Sequence, residues 1–460
     1  MKPMKIAILG SGPAGFSAAI TLAKNLAHTE IPYEITIFDQ AHTAGRSILA
    51  TGNGRCNISN TTVAADDYHN SEFVEATMSL VVPDEVTNFF AETGILLREE
   101  EQGRLYPIAN KASSVVDALN FQADLLGIRR VLCADICKVR ATTYSDSSIE
   151  KGWIVSLSPN QASLVRLNKE SAKENNHRFL EAKLQSHLTC PAEIEFNSVV
   201  YALGGKANAK RIINFGDRAV QTLPATDMLC PLAMREFQYA KLDNIRVRCS
   251  VSLRSDGGAG NTYAENGEVL FRKYGVSGIC IFNLSRFAQP GDILEIDLFP
   301  LFSREQIQQH LLDRYKACAN MDVLQITCGI LLPEVASAIA RHAGLENTAM
   351  LTKNQVRELA RVLKSWRIGV VEGLQGDAQA QVSRGGIDIN QINPATCEFI
   401  DYSGIYAIGE ALDVDAACGG FNLHWAWTSG IAAGTAIARS AKSKLGCKDG
   451  TSSPSTANKI

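Results

Sequence analysis

Gly10-Ser-Gly-Pro-Ala-Gly15 stands between an apolar, β-rich run, Lys5 to Leu9, and an Ala-rich run with helical spacing, Phe16 to Leu26. This order of strand, glycine turn and helix is typical of a dinucleotide-binding unit, in which the glycines let the backbone approach a pyrophosphate at the helix N-terminus. A second alternating apolar run, Tyr33 to Asp39, follows. We therefore predict a βαβ unit over residues 5–39, within an α/β fold with a parallel, doubly wound sheet.

An acidic residue completes this pattern. Asp39 ends the second predicted strand, 24 residues after Gly15. A carboxylate there accepts hydrogen bonds from ribose hydroxyls and repels a 2′-phosphate, which favours FAD or NAD over NADP. The alternative is an ordinary strand-to-helix turn of an α/β protein. The candidate residues for the dinucleotide are Gly10, Gly12, Ala14, Gly15 and Asp39.

The stretch after the second strand, residues 45–60, is rich in Gly, Thr and Asn. Its composition predicts an ordered loop rather than a helix or strand. Its position places it beside a bound nucleotide, where backbone N–H groups and arginine can compensate negative charge. A surface loop with a chance concentration of polar groups is the alternative.

A second motif lies near the C-terminus. Gly404 to Asp413 reads as a strand ending in two carboxylates, and Cys418 to Gly430 leads into a helix of small residues that reaches Ala438. The N-terminus of that helix, near Asn422, would stabilise negative charge on a ligand. Glycines that serve only helix-to-sheet packing are the alternative.

The domain organisation follows from changes of pattern along the chain. Short β-rich runs begin at about residue 224, helical periodicity covers residues 303–365, and the strand-and-glycine pattern returns near residue 404. A polar, charge-rich stretch, residues 159–188, predicts an exposed excursion. The predicted parts are a nucleotide-binding domain, 1–223 and 383–445; a β-rich barrel-like domain, 224–302 and 366–382; a helical domain, 303–365; and a flexible tail, 446–460.

Composition excludes several classes of protein. The 460 residues carry 45 basic and 48 acidic side chains, a net charge of −3, so we expect no nucleic-acid partner. Twelve cysteines without any C-x-x-C pair predict free thiols, a reducing compartment and no metal site. The first apolar run is interrupted at Gly10, and no later run reaches about 18 residues. We therefore predict a cytoplasmic protein without a signal peptide or membrane span.

Several blocks resemble the HI0933-like family of FAD-containing flavoproteins, which includes bile-acid-inducible reductases and an aminoacetone oxidase. They are spread from residue 5 to about residue 438. The blocks are Gly45-Arg46 with Thr51-Gly-Asn-Gly-Arg-Cys-Asn57, Tyr106-Pro107 leading to Lys111-Ala-Ser-Ser-Val115, Gly267-Glu-Val-Leu-Phe271 with Tyr274-Gly-Val-Ser-Gly278, and Gly409-Glu410 through Trp427.

The resemblance implies a Rossmann-like FAD domain interrupted by a β-barrel-like and a helical domain, with the flavin in the cleft between them. It implies that the glycine turn and Asp39 hold the ADP half. Cys56 has no partner cysteine at a useful spacing, so we expect it to pack rather than act as a redox thiol. The residues implied at the flavin end are Arg46, Thr51, Gly54, Arg55, Cys56, Asn57, Gly204, Gly409, Glu410, Asp413, Asn422 and Leu423.

The chain departs from the family pattern in two places. A glycine-rich stretch expected after Gly205 is replaced by Lys206 to Phe215, and a Met-Glu-Ser-Lys block expected after Gly386 is reduced to Thr396 to Phe399. Both departures fall where the family places its substrate cleft, so a relative's substrate does not transfer directly.

Three functions remain open at this point. The first is a reductase, in which NADH or NADPH reduces FAD and the flavin passes hydride to an activated carbon–carbon double bond of a small, steroid-like or enone substrate. Tyr274, Arg55 and His424 are its candidate catalytic residues for carbonyl polarisation or proton delivery. The second is an oxidase of a small amine or amino-ketone that uses oxygen. The third is a non-enzymatic flavin-binding redox sensor.

Overall fold

The computed structural model describes residues 2–51, 54–142, 152–171, 182–207, 209–215, 219–255, 262–318, 320–375 and 380–449. The chain divides into two compact units, Met1–Thr226 with Ser383–Ile460, and Asp227–Val382. The two points at which the chain passes between the units lie in two paired strands, Thr222–Met228 and Val382–Ile387.

The strands are β1 Met4–Leu9, β2 Tyr33–Phe38, β3 Ser59–Asn60, β4 Leu97–Glu99, β5 Arg104–Pro107, β6 Arg129–Leu132, β7 Ala134–Ala141, β8 Trp153–Pro159, β9 Gln185–His187, β10 Ala192–Phe196, β11 Ser198–Tyr201, β12 Ile213–Asn214, β13 Thr222–Met228, β14 Leu232–Arg235, β15 Arg246–Arg254, β16 Thr262–Arg272, β17 Gly275–Ser277, β18 Ile293–Asp297, β19 Trp366–Leu374, β20 Val382–Ile387 and β21 Ile405–Ala407.

The helices are α1 Pro13–Leu26, α2 Arg46–Leu49, α3 Ser71–Met78, α4 Pro83–Glu92, α5 Ala112–Leu125, α6 Gln161–Ser171, α7 Ala209–Ile212, α8 Ile279–Ser285, α9 Arg304–Ala317, α10 Val323–Ile326, α11 Pro333–His342, α12 Lys353–Lys364 and α13 Phe421–Asp449. The last helix thus extends through the first residues of the predicted tail, and residues 450–460 lie outside the described part of the chain.

The first unit is built on a six-stranded sheet in the order β21-β11-β1-β2-β6-β9, in which every pairing is parallel. The last four residues of β1 and of β2 are buried, as expected for strands covered by helices on both faces. Leu9 is in register with both Phe38 and Tyr201, so the carboxyl ends of three strands meet at one edge. The predicted α/β, doubly wound Rossmann architecture is confirmed.

Helix α13 packs on helix α1 through small residues. A Cβ atom on Gly430 would lie 2.0 Å from Ser17 Oγ and 2.5 Å from the Ala14 carbonyl oxygen, and one on Gly434 would lie 2.6 Å from the Ala18 carbonyl oxygen. The two helix backbones are therefore in direct contact. This contact joins a helix at the start of the chain to one at its end.

The second unit contains a closed six-stranded barrel in the order β14-β17-β16-β15-β18-β19, which confirms the predicted barrel-like element. Helices α9 to α12, within residues 303–365, share one hydrophobic core with it. Trp366, fully buried in that core, donates its indole N–H to Tyr239 Oη at 3.1 Å. Residues 303–365 and the barrel both lie in the compact unit Asp227–Val382.

The described helices include none that is long and apolar enough to cross a membrane. Within the same residues, no three His, Cys, Asp or Glu side chains are grouped so that they could hold a metal ion.

We expect Gly430→Ala to destabilise the protein, although alanine is the better helix former by about 1 kcal/mol. Its methyl group would overlap Ser17 and Ala14, and overpacking of this kind costs about 1–3 kcal/mol or more. Urea unfolding followed by circular dichroism measures the change. Gly373→Ala is the control, since its Cβ would meet nothing within 4 Å. An unchanged or increased stability of Gly430→Ala would contradict the close helix contact.

Candidate functional site

The glycine turn lies at the carboxyl edge of the parallel sheet. Gly10 has a φ of +111°, and a Cβ there would lie 2.3 Å from the Ala202 carbonyl oxygen. A Cβ on Gly15 would lie 1.9 Å from the Gly10 carbonyl oxygen. Only glycine fits at either position. The turn places the N-terminus of α1, which begins after Gly12, at the sheet edge, where the N–H groups of the first turn, including that of Ala14, have no partner within the helix.

Asp39 is tied to this turn. One carboxylate oxygen accepts from Ser11 N at 2.7 Å and Ser11 Oγ at 2.5 Å, and the other accepts from Ala41 N at 2.8 Å. A carboxylate accepts about four hydrogen bonds, so Asp39 retains capacity for a ribose hydroxyl. Its position beside the glycine turn is what a dinucleotide's ribose requires.

The loop predicted at residues 45–60 continues from the turn. Gly45 N donates to both the carbonyl oxygen and Oγ of Ser11, each at 3.1 Å, and the short helix α2 begins with the exposed Arg46. Thr51 donates to the Ile48 carbonyl at 2.7 Å. Gly54 has a φ of +66° and open space where a Cβ would be. Residues 52 and 53 of the motif lie outside the described part.

The partly exposed side chain of Arg55 is held by polar and aromatic neighbours. Its guanidinium donates to Glu100 and Asn110, each at 2.5 Å, and lies 4.0 Å from the centroid of the Tyr106 ring. The hydrogen bond from Arg55 is the main reason why the pKa of Glu100 lies below its usual value. Arg55, Glu100, Glu101, Arg104 and Tyr106 line a cavity of about 410 Å³. The charge of Arg55 is thus compensated by Glu100.

Cys56 is fully buried and has a φ of +62°. Burial raises the pKa of its thiol to about 12. A hydrogen bond with Thr51 has the opposite, smaller effect on this pKa. The thiol is therefore un-ionised at neutral pH, and the thiolate is the reactive form of cysteine. This agrees with the expectation that Cys56 packs and does not exchange electrons.

A buried polar group connects the loop to helix α13. The ring nitrogen Nδ1 of His424 lies 2.8 Å from Ser59 Oγ. The other ring nitrogen, Nε2, and the side-chain oxygen of Asn57 are buried without a hydrogen-bond partner among the described residues. A Cβ on Gly420, which precedes α13, would lie 2.9 Å from that Asn57 oxygen. Burial lowers the pKa of His424 to about 4, so its ring is neutral at neutral pH.

Two residues predicted for the flavin end use their side chains within the protein. Asn422 accepts from Ala416 N at 2.9 Å and donates to the carbonyls of Ala416 and Ala417. Asp413 accepts from Gly385 N at 2.7 Å and from Asn70 Nδ2 at 3.1 Å. Both side chains hold loops at the sheet edge in place.

The remaining predicted residues lie near these loops. Gly409 has a φ of +64°, and a Cβ there would lie 2.9 Å from Ala14 Cβ. Glu410 accepts from Ser383 N at 2.8 Å. Burial raises the pKa of Glu410, although this hydrogen bond lowers it. Gly204, with a φ of +79°, follows β11 and has open space where a Cβ would be. Leu423 is half-buried against the main core.

Tyr274 belongs to a different compact unit from the other predicted site residues. It is a half-buried residue of the turn between β16 and β17, in the second unit, and its carbonyl accepts from Met234 N at 3.0 Å. The other predicted site residues all belong to the first unit.

Sequence reasoning missed several polar residues. Arg384 forms two hydrogen bonds with the fully buried Asp415, at 2.6 and 3.0 Å, and His69 Nε2 lies 3.4 Å from Asp413 Oδ2. The hydrogen bonds of Ser11 to Asp39 could have been predicted, because Ser11 lies inside the glycine turn. Ser59 offered none, because its partner His424 is 365 residues away.

The fold and these residues define the class: a dinucleotide-binding turn, an acidic strand end and a return helix on one Rossmann sheet make a dinucleotide-binding protein. The chain belongs to the HI0933-like family, whose Rossmann-domain model matches residues 4–436, and this membership makes it a flavin-dependent oxidoreductase.

Relatives of known name match almost the whole chain. A 3-dehydro-bile acid delta(4,6)-reductase of Clostridium scindens is 27% identical over 94% of this chain and 99% of its own. A ribosomal RNA dihydrouridine synthase of Haemophilus influenzae is 26% identical over 94% of this chain and 98% of its own. The Escherichia coli protein of the same name is 24% identical over 92% and 95%.

The lowered pKa of His424 predicts a pH dependence of stability. Between its ordinary value of about 6.5 and about 4, the unfolded chain binds a proton that the folded protein does not. The stabilisation is complete above pH 6.5 and is lost as the pH falls towards 4, by about 3 kcal/mol in all.

We expect His424→Gln to flatten this slope relative to the wild type when urea unfolding is measured at several pH values from 7 to 4. His28→Gln, at an exposed histidine, is the control and should keep the wild-type slope. Equal slopes in the wild type and His424→Gln would show that His424 is not buried as a neutral ring.

Proposed function

We propose that the first unit binds FAD at the carboxyl edge of its sheet. The residues fit this cofactor: the glycine turn admits no side chain at Gly10 or Gly15, α1 presents its N-terminus, and Asp39 keeps acceptor capacity. In this proposal the turn and Asp39 hold the ADP half. The loop from Arg46 to Asn57, together with Gly204, Gly409, Glu410, Asp413, Asn422 and Leu423, surrounds the flavin half directly or by fixing its loops.

We propose further that the enzyme reduces an activated carbon–carbon double bond of a small hydrophobic, enone-like substrate, with NADH or NADPH as the electron donor. FAD, when bound, supplies hydride transfer through its ring. The names of the matching relatives support this class, since a delta(4,6)-reductase and a dihydrouridine synthase each saturate a carbon–carbon double bond.

The observation that carries the proposal is the neutral character of the polar groups where Asn57 meets the start of α13. The Asn57 oxygen and His424 Nε2 are buried, uncharged and without protein partners in the described residues, and the Cys56 thiol is un-ionised. When Nδ1 of His424 accepts from Ser59, its Nε2–H can donate to a neutral conjugated carbonyl, whereas the Asn57 oxygen can only accept, from an N–H or O–H group of the ligand. A disulfide substrate would instead need a thiolate beside the flavin.

The three candidate catalytic residues acquire different roles. His424 is neutral, so it acts as a hydrogen-bond donor or acceptor and does not deliver a proton as an imidazolium. Arg55 is charge-compensated by Glu100 and lines the cavity, where in this proposal it donates a hydrogen bond to the substrate. Tyr274 keeps the role of proton delivery in the proposal, since its phenol O–H can donate a hydrogen bond.

The test is the visible absorption spectrum of the purified protein, recorded without oxygen before and after NADH and then NADPH. We expect an oxidised-flavin spectrum that one nucleotide bleaches. A 4,6-dien-3-one steroid should then restore the spectrum, while a uridine-containing RNA oligonucleotide should not, given the net charge of −3.

Each other outcome contradicts a defined part of the proposal. Restoration by the oligonucleotide alone would replace the small substrate with RNA. The oxidase would be indicated if neither nucleotide reduced the flavin but a small amine bleached it. Hydrogen peroxide should then form in air. A flavin that no donor reduces would favour the redox sensor, and a colourless protein would overturn the cofactor assignment.

A further inference from the structure

The polar stretch at residues 159–188 has no part in the function proposed so far. Strands β8 and β10 pair directly as an antiparallel hairpin, with Leu157 opposite Ala192, so the residues between them are inserted into that hairpin. The insertion supplies α6 and β9. Strand β9 adds to the open edge of the main sheet, where Gln185 pairs with Arg130 of β6.

The insertion contacts the turn that follows β2. Glu170 of α6 lies 3.1 Å from His42, between Oε1 and Nε2. The His42 side chain is only 8% exposed, whereas that of Glu170 is 45% exposed. His187 of β9 forms a hydrogen bond with the backbone of His42. One residue of the turn is thus held from two sides by the insertion.

The same turn contains Asp39. Its carboxylate accepts from Ala41 N, and its carbonyl accepts from Ala134 N at 2.9 Å. The Ala41 carbonyl accepts from Cys133 N at 3.0 Å. The Cys133 carbonyl in turn accepts from Asn160 N at 2.7 Å, at the entry to α6. The insertion is therefore hydrogen-bonded to the segment that positions Asp39 as well as to His42.

The far side of the insertion is fixed to the core. Asp124 accepts from the backbone N–H groups of Lys183 and Leu184, at 3.0 and 3.1 Å. It also pairs with Arg130, which is fully buried. This anchoring keeps β9, and with it His187, at a fixed place beside the turn. Strand β9 can therefore hold His42 from a fixed position.

We propose that Glu170 and His187 are positioning residues for the adenosine half of FAD, which act through His42 to hold the 39–42 turn in its binding conformation. The inference rests on the proposed binding of FAD. In the dinucleotide fold the end of β2 lies at the adenosine ribose, so order in this turn acts on that half of the cofactor. A turn that is ordered before binding loses less entropy when the ligand arrives.

The test compares holoenzymes of the wild type, Glu170→Ala, Glu170→Gln and Glu193→Ala. FAD release is followed by the rise of flavin fluorescence after dilution, and hydrogen exchange of the 41–45 amides reports the turn. We expect Glu170→Ala to release FAD about tenfold faster and to lose protection in the turn, because it leaves the buried His42 Nε2 unpaired. Glu170→Gln keeps a hydrogen-bonding group and should stay within about twofold of the wild type.

Glu193→Ala is the matched control. It removes an exposed partner of Arg140 on the neighbouring strand β10, and FAD release should be unchanged. Melting temperatures of the apoproteins separate a general loss of stability from the local effect, since Glu170 is a surface side chain. If FAD is bound and Glu170→Ala releases it at the wild-type rate, the positioning role is wrong and the proposed function stands. If the wild type binds no FAD, the proposed function itself fails.

Discussion

The first unit depends on one close approach of backbones around the start of α1. Gly15 faces the carbonyl oxygen of Gly10 at a distance that no side chain would permit, and Gly430 of α13 lies against the same helix at Ala14 and Ser17. The N-terminus of α1 is therefore fixed on two sides, by the strand before it and by the last helix. A phosphate site made of backbone N–H groups needs this fixity, because such groups cannot adjust their direction as side chains can.

The polar groups around that centre are used mainly to hold loops. Asp39 ties the end of β2 to Ser11, Asn422 braces the loop before α13, and Asp413 holds the turn at Gly385. Two of the atoms that have no partner among the described residues, the Asn57 oxygen and His424 Nε2, are uncharged. The site thus combines a rigid, internally bonded frame with a few free hydrogen-bonding atoms, which is the usual construction of a small-molecule pocket.

The fold could be predicted from the sequence because its signals are local. The apolar strand before Gly10, the helical spacing after Gly15 and the acid at Asp39 all lie within one short stretch, and the structure confirms the parallel sheet that they indicate.

The roles of individual polar residues were less accessible. Asp413 and Asn422 look like ligand-binding groups in the sequence, yet they hydrogen-bond to loop backbones and, at Asp413, also to the Asn70 side chain. Arg55 is compensated by Glu100, 45 residues later. Such partners are set by the tertiary fold, and no periodicity or spacing in the sequence encodes them.

The contact between α1 and α13 also sets an order of events during synthesis. Ser17 bonds to the carbonyl of Ala426, 409 residues later, so the first helix cannot meet its partner until the chain has been made as far as Ala426. At about 5–20 residues per second, the interval is roughly 20–80 seconds. The barrel unit is complete by Val382 and can fold in that time. Until then the small-residue face of α1 is not covered by α13, so completion of the first unit's core is a late step when the chain folds during synthesis.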